Sequence, residues 1–113
     1  MPRLCLMLDL KDDPELIAEY RRYHETVWPE VTESLRDAGI REMEIYICGN
    51  RLVMVLDTVE GFSFEAKLKA DARNPKVVEW ETLMARFQQP LPNSKPGEKW
   101  RSTELAFKLS EQL

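Results

Sequence analysis

Three aromatic side chains with polar edges, Tyr20, His24 and Trp28, recur at four-residue intervals near the N-terminus. On an α-helix this spacing puts all three on one face, about one turn apart. A phenol, an imidazole and an indole together offer hydrogen-bonding groups and a flat apolar surface to a small polar molecule. His24 is the only histidine, and its ordinary pKa lies near neutrality. General acid–base chemistry is therefore the first reaction class that the stripe indicates.

Pro29 limits this helix, because the residue before a proline is pushed out of α geometry. We expect one helix to end near Trp28 and a second to begin at Pro29. A purely structural interpretation of the stripe stays open. In that interpretation Tyr20 packs with its hydroxyl in water, and Trp28 holds the helix break against a sheet.

Composition excludes several classes of function. The net charge is −4 with both signs interspersed, so there is no basic stripe to bind nucleic acid or an anionic membrane. No apolar run is long enough to predict a membrane span, and the N-terminus resembles a strand rather than a signal peptide. At 113 residues we expect one domain, residues 1–113.

The nucleophile, metal and phosphate motifs are also missing from the sequence. Cys5 and Cys48 lie far apart in apolar strand patterns, which predicts buried free thiols in a reducing cytoplasm rather than a disulfide or a zinc site. No carboxylate cluster accompanies His24, so we expect no metal. There is no glycine-rich phosphate loop either.

Strand and helix patterns alternate along the chain. Period-2 patterns predict strands over Arg3–Leu10, Ile40–Cys48, Arg51–Thr58 and Thr103–Leu109. Helical patterns cover Pro14 to near Trp28, Pro29–Ala38, Glu60–Ala72 and Pro75 to about Phe87. This βαββαβ order is that of a ferredoxin-like α+β fold with an antiparallel sheet. Its usual strand order puts the first and third strands in the centre, which agrees with the apolar residues on both of their faces.

Helices would cover only one face of such a sheet. The other face must meet something, and a second copy of the sheet is the simplest partner. We therefore expect a symmetric homodimer with facing sheets.

The run from Tyr20 to Glu30 resembles the signature of the L-rhamnose mutarotase family, with its Tyr-x-x-x-His-x-x-x-Trp-Pro core. The similarity continues through Gly39, the Tyr46 strand, the Trp80 helix and the loop at 91–94, so it covers essentially the whole chain. The resemblance implies a dimeric α+β barrel that interconverts the α and β anomers of a deoxysugar and needs no cofactor. It implies that His24 is the proton donor.

The resemblance also implies a substrate pocket. Tyr20 would contact sugar hydroxyls, and the aromatic pair that completes the family pocket reads Glu79-Trp80 here. A family tyrosine at the start of the second strand is Met43 in this chain. These two departures alter the lining and leave the substrate as a 6-deoxyhexose, either L-fucose or L-rhamnose. The full set of candidate binding residues is Tyr20, Trp28, Met43, Tyr46, Glu79 and Trp80.

Several alternatives stay open from the sequence. The partner base of His24 is Tyr20, a carboxylate or water. Tyr46 lies either in the pocket or in the dimer interface, Trp80 fits a core as well as a ligand platform, and Glu79 fits a surface charge. A different class of protein, a non-catalytic small-ligand-binding or monooxygenase-type dimeric barrel, would have a pocket with few polar groups.

Overall fold

The computed structural model describes residues 2–113 and contains an antiparallel sheet with helices on one face. The strands are β1 (Arg3–Leu10), β2 (Ile40–Cys48), β3 (Arg51–Thr58), β4 (Gln88–Gln89) and β5 (Arg101–Ser102). The helices are α1 (Pro14–Tyr23), α2 (Pro29–Asp37), α3 (Phe64–Ala72) and α4 (Pro75–Ala85), followed by a 3₁₀ turn at Leu109–Glu111. Within residues 2–113, no helix is both long and apolar enough to traverse a bilayer.

The sheet has the order β2-β3-β1-β4, and the short β5 pairs with β1 beside β4. All pairs are antiparallel, and β1 and β3 are central. The ferredoxin-like α+β prediction and the central position of these two strands are thus confirmed. Leu6 lies opposite Met54 and Met7 opposite Val53, which sets the two faces of the sheet.

The helix-covered face holds the core. Leu6, Leu8 and Leu10 alternate along β1 and are almost fully buried. Leu10 belongs to a buried cluster with Tyr20 and Phe87 beneath α1 and α4, and Leu6 belongs to a second cluster with Ile40 and Leu56. Burial of each large apolar side chain contributes about 1.5–3 kcal/mol, so this face supplies most of the stability that positions the helices.

Local sequence explains where the helices begin. The carboxylate of Asp13 accepts hydrogen bonds from the backbone N–H groups of Glu15 (2.9 Å) and Leu16 (3.3 Å) at the start of α1. Asn74 caps α4 in the same way. Each of these helices has proline in its first turn, where the missing N–H costs nothing.

The first helix ends at Tyr23, so the prediction of one helix to near Trp28 is wrong. At its end the backbone N–H of His24 donates to the carbonyl oxygens of both Tyr20 and Arg21, and the N–H of Glu25 donates to Arg22. The hydrogen bonds thereby tighten from four-residue to three-residue spacing and the helix stops. Trp28 is extended, with ψ at 134°, as a residue before proline must be.

Three other helix boundaries differ from prediction, and the smallest difference is at α2, which ends at Asp37 rather than at Ala38. Helix α3 begins at Phe64 rather than at Glu60, because Gly61 has a left-handed φ of 81° that interrupts the helix, and Ser63 then caps it. Helix α4 ends at Ala85 rather than about Phe87.

The predicted last strand, Thr103–Leu109, is wrong. Pairing with β1 ends just after β5, where the N–H and hydroxyl of Thr103 donate to the carbonyl oxygen of Cys5 at 3.0 and 2.8 Å. Beyond that point Leu105 and Phe107 are 75% and 64% exposed. A segment with alternating apolar residues forms a strand only where it can pair with the edge of a sheet and bury its apolar face. Residues 2–113 of one chain provide neither at this place.

Both cysteines are free thiols, as predicted, but only Cys5 is partly buried. Cys48 is exposed at the end of β2, next to the turn into β3, so the prediction that both thiols are buried is wrong for Cys48.

Candidate active site

The imidazole of His24 is held by the helix end on which it lies. His24 is the C-cap residue of α1, and its Nδ1 lies 2.8 Å from the carbonyl oxygen of Tyr20. A carbonyl oxygen only accepts, so Nδ1 carries the hydrogen of this bond. The Tyr20 carbonyl thus accepts from both the backbone N–H and the ring of His24, and the ring bond leaves Nε2 as the nitrogen that can exchange a proton.

Aromatic rings pack against this imidazole on two sides. The Tyr20 ring lies 4.2 Å from it between centroids at a tilt of 35°, and the Trp80 ring lies 5.5 Å away, edge-on. Trp28 does not lie on the same helix as Tyr20, because α1 ends at Tyr23. It joins the cluster through Trp80, at 5.1 Å and 70°. The prediction that Tyr20, His24 and Trp28 form a stripe on one helix is therefore wrong, and Trp80 of α4 lies between His24 and Trp28 instead.

Burial sets the protonation of both polar groups in this cluster. Partial burial lowers the pKa of His24 below its ordinary value of 6.5, and the hydrogen bond to Tyr20 opposes that change only in part. The neutral imidazole therefore prevails at pH 7. Burial and the nearby carboxylate of Glu81 raise the pKa of the Tyr20 phenol, which stays protonated and is a poor base.

His24 borders a cleft of about 360 Å³ between the helices and the edge strand β2. This volume falls in the range of about 300–1,000 Å³ that is typical of small-molecule sites. The cleft is part apolar and part polar. Its lining consists of His24, Val27, Thr32, Leu35, Arg36, Ile40, Arg41, Glu42, Met43 and Ile45. A ligand here would meet one group that titrates near neutrality, together with charged and apolar walls.

Of the residues proposed from the sequence, the structure brings only Met43 to this cleft beside His24. Tyr20 and Trp80 are 4% and 5% exposed and lie behind the imidazole rather than in the lining. Trp28 is half-buried, with the Lys76 ammonium 5.8 Å from its ring centroid.

Two proposed residues lie elsewhere. Tyr46 is 55% exposed on the sheet face that the helices do not cover, opposite Val53 in the register. Glu79 lies on the exposed side of α4 and pairs with Lys76 at 3.3 Å.

The sequence patterns did not single out the polar wall of the cleft. Thr32 and Arg36 come from α2, one helical turn apart, and Arg41 and Glu42 come from the start of β2. In the sequence, the four-residue spacing of Thr32 and Arg36 is the one signal that could have indicated that these two side chains lie together on α2. Which side of α2 faces a cleft depends on how the helix packs, and local spacing does not encode that.

A larger cleft, about 550 Å³, lies between α2 and α3. Its charged lining is mostly carboxylate, from Glu30, Glu33, Asp37 and Asp71, with Lys67 as the cation. Lys67 is bound to Asp71 at 2.5 Å. This cleft contains no group with an ordinary pKa near neutrality, so the smaller cleft at His24 is the better candidate for acid–base chemistry.

Comparison with known proteins identifies the family of this chain. The sequence model of the L-rhamnose mutarotase family matches residues 3–109. The chain belongs to the L-rhamnose mutarotase family. It is a sugar isomerase of the mutarotase type, which decides against the non-catalytic or monooxygenase-type barrel.

Individual relatives cover most of the chain. An L-fucose mutarotase from Xanthomonas campestris pv. campestris is 52% identical, over 100% of this chain and 92% of its own. An L-rhamnose mutarotase from Burkholderia ambifaria is 31% identical, over 74% of this mutarotase and 83% of its own length.

Solved structures support the fold. An L-rhamnose mutarotase from Formosa agariphila superposes with a TM-score of 0.70 at 24% identity, over 96% of this chain and 99% of that one. The tetracenomycin F2 cyclase of Streptomyces glaucescens superposes with a TM-score of 0.61 at 13% identity, over 96% and 98% of the two chains. At these identities the likeness concerns the fold alone.

Proposed function

We propose that this mutarotase interconverts the α and β anomers of a 6-deoxyhexose, with L-fucose preferred to L-rhamnose. The observation that carries the proposal is the fixed imidazole of His24 on a sugar-sized cleft. The preference rests on the 52% identity to an L-fucose mutarotase, and on Met43 in place of the family tyrosine.

His24 is the proton-transfer group in this proposal. Ring opening breaks the bond between C1 and the ring oxygen. Nε2 of His24 accepts the proton of the anomeric hydroxyl, directly or through water, and gives a proton to the ring oxygen as C1 becomes an aldehyde. The carbonyl rotates, and closure on its other face reverses the two transfers, so no net proton is taken up. Such catalysis is typically worth about 10²–10⁴ in rate.

Tyr20 serves this reaction as a positioning residue. Its carbonyl oxygen holds Nδ1 of His24 and its ring lies against the imidazole, so the orientation of Nε2 depends on it. Its raised phenol pKa does not suit it as the partner base. We propose that no second base is needed and that water in the open cleft relays protons between the sugar and Nε2 of His24. The predicted contacts of a sugar with Trp28, Tyr46, Glu79 and Trp80 stay predictions, and only Met43 among the predicted binding residues lines the cleft.

Exchange NMR on the two sugars tests the substrate proposal. With purified protein, saturation of one anomer of L-fucose should transfer to the other at a rate proportional to enzyme concentration, and kcat/KM for L-rhamnose should be lower. Titration of either sugar should also change tryptophan fluorescence, because Trp28 and Trp80 pack beside His24. Exchange of both sugars at the uncatalysed rate would refute the proposed function.

The acid side of the pH profile tests the role of His24. The reacting complex contains the neutral imidazole, so kcat/KM should be constant above the pKa of His24 and fall as the pH drops through it. Because burial lowers that pKa, the midpoint should lie below 6.5. Exchange rates measured between about pH 5 and 8, corrected for uncatalysed exchange, give the midpoint. A midpoint above 6.5, or an activity that rises on acidification, would contradict this assignment.

We also propose a homodimer through the face of the sheet that helices leave open. That face carries the half-buried Cys5, Met7, Val53 and Val55 beside the exposed Tyr46. A contiguous apolar patch that one chain leaves uncovered typically marks a protein–protein interface. Light scattering on a size-exclusion column should give the mass of two chains, and the mass of one chain would exclude the dimer.

Residues 1–113 act as one domain, in the cytoplasm, in this proposal. A reducing compartment suits two free thiols, one of which is exposed. Fractionation of cells that produce the tagged protein would locate it.

A further inference from the structure

One face of α2 presents a hydrogen-bond acceptor and a set of donors to the cleft. Thr32 and Arg36 are four residues apart, so they lie one above the other on the helix, and both line the cleft that His24 borders. Leu35 lines it between them. The helix is short and begins at Pro29, soon after His24 in the chain.

Each of the two polar side chains keeps bonding capacity free for a ligand. The hydroxyl of Thr32 donates its hydrogen to the carbonyl oxygen of Pro29 at 3.1 Å, and its lone pairs stay available to accept. Arg36 is exposed and forms no salt bridge with any carboxylate of residues 2–113. Its guanidinium offers only donors.

We propose that Thr32 and Arg36 bind two neighbouring ring hydroxyls of the sugar, Thr32 as acceptor and Arg36 as donor. This assignment rests on the proposed function. A sugar hydroxyl both donates and accepts, so a diol is matched by one acceptor and one donor that lie about 5–6 Å apart at their Cβ atoms, as successive turns of a helix place them.

The opposite part of the lining suits the rest of a 6-deoxyhexose. Met43 and Ile45 of β2 are apolar and half-buried, and the methyl group of such a sugar is its one apolar substituent. The hydroxyl edge toward α2 and the methyl toward β2 together orient the ring against His24. Thr32 and Arg36 are therefore binding residues that determine which hydroxyl pattern is accepted.

Variants of the two residues test the assignment without removing His24. Arg36→Met keeps the aliphatic part of the side chain and removes the donors, and Thr32→Val keeps the shape and removes the acceptor. For L-fucose, Arg36→Met should raise KM about tenfold or more with a smaller change in kcat, as expected for a lost hydrogen bond to a charged group. Arg36→Lys should recover part of the loss. Arg73→Met removes the same charge at the end of α3, outside the cleft, and is the matched control.

Monodeoxy sugars identify the contact itself. If Arg36 binds one hydroxyl, the analogue of L-fucose that lacks this hydroxyl should have the same KM with the wild type and with Arg36→Met, whereas the other analogues should keep the difference. A KM for Arg36→Met within twofold of that of the Arg73→Met control, or an equal loss on every analogue, overturns the proposal.

Calorimetric titration of L-fucose separates this inference from the proposed function. Weakened binding by Arg36→Met in a protein that catalyses no exchange would leave the binding site standing and refute the mutarotase assignment for this sugar. If Arg36→Met left L-fucose binding unchanged while exchange still depended on His24, the proposed function would stand and the assignment of Arg36 would be refuted.

Discussion

Replacement of His24 by glutamine should abolish catalysed anomer exchange while the protein remains folded. His24 is the only side chain of the cleft whose ordinary pKa lies near neutrality, and glutamine cannot take up and release a proton. We expect a loss of about 10²–10⁴ in kcat, which brings the rate down to that of uncatalysed exchange. Saturation-transfer NMR on L-fucose measures it.

Stability and binding measurements accompany this variant. The imidazole is only half-buried, so the thermal midpoint should change little, and calorimetry should still detect sugar binding. Arg22→Gln, on an exposed position of α1, is the control and should keep normal exchange. Exchange at the wild-type rate in the His24 variant would show that His24 does not transfer the proton. Water and the carboxylate of Glu42 would then be the remaining candidates for that role.

Truncation of Trp80 to alanine should cause the second large effect, on stability as well as on activity. Trp80 is 5% exposed and packs edge-on against Tyr23, His24 and Trp28 at centroid distances of 6.3, 5.5 and 5.1 Å. Loss of a buried tryptophan typically costs about 3–5 kcal/mol, a large share of the roughly 5–15 kcal/mol that stabilises a domain of this size.

Urea denaturation measures this loss, and two further variants of α4 separate its causes. Trp80→Phe should lose much less stability because it keeps an aromatic ring behind the imidazole, and it should retain exchange activity. Val78→Ala, at a position that is 46% exposed, should be close to neutral. If the free energy of unfolding of Trp80→Ala were less than about 1 kcal/mol below that of the wild type, Trp80 would line the cleft as a ligand platform instead of supporting His24 from behind.

Much of the fold could be predicted because its determinants are local. Alternating apolar residues predicted β1, β2 and β3, and prolines and capping residues predicted where α1, α2 and α4 begin. The same local logic failed for the C-terminal strand. The alternation of Leu105 and Phe107 is real, but a strand also needs a neighbouring edge and a layer to bury against, and local periodicity contains neither.

For the site, spacing in the sequence predicted one contact, between Tyr20 and His24, and left the other neighbours of the imidazole undetermined. Tyr20 and His24 are four residues apart, so their contact follows from helix geometry, and it survives although α1 ends at Tyr23. The family motif likewise predicted that His24 is the proton-transfer residue, and this role stays a prediction.

Only the tertiary structure decided which groups share a cavity with that imidazole. It buried Tyr20 and Trp80 behind the ring, put Tyr46 on the other face of the sheet, and brought Thr32 and Arg36 to the cleft. The physical reason is that spacing along the chain fixes which side chains share a helix face or a strand face. Which of those faces meet, and where they leave a gap, depends on how α2 and α4 pack on the sheet.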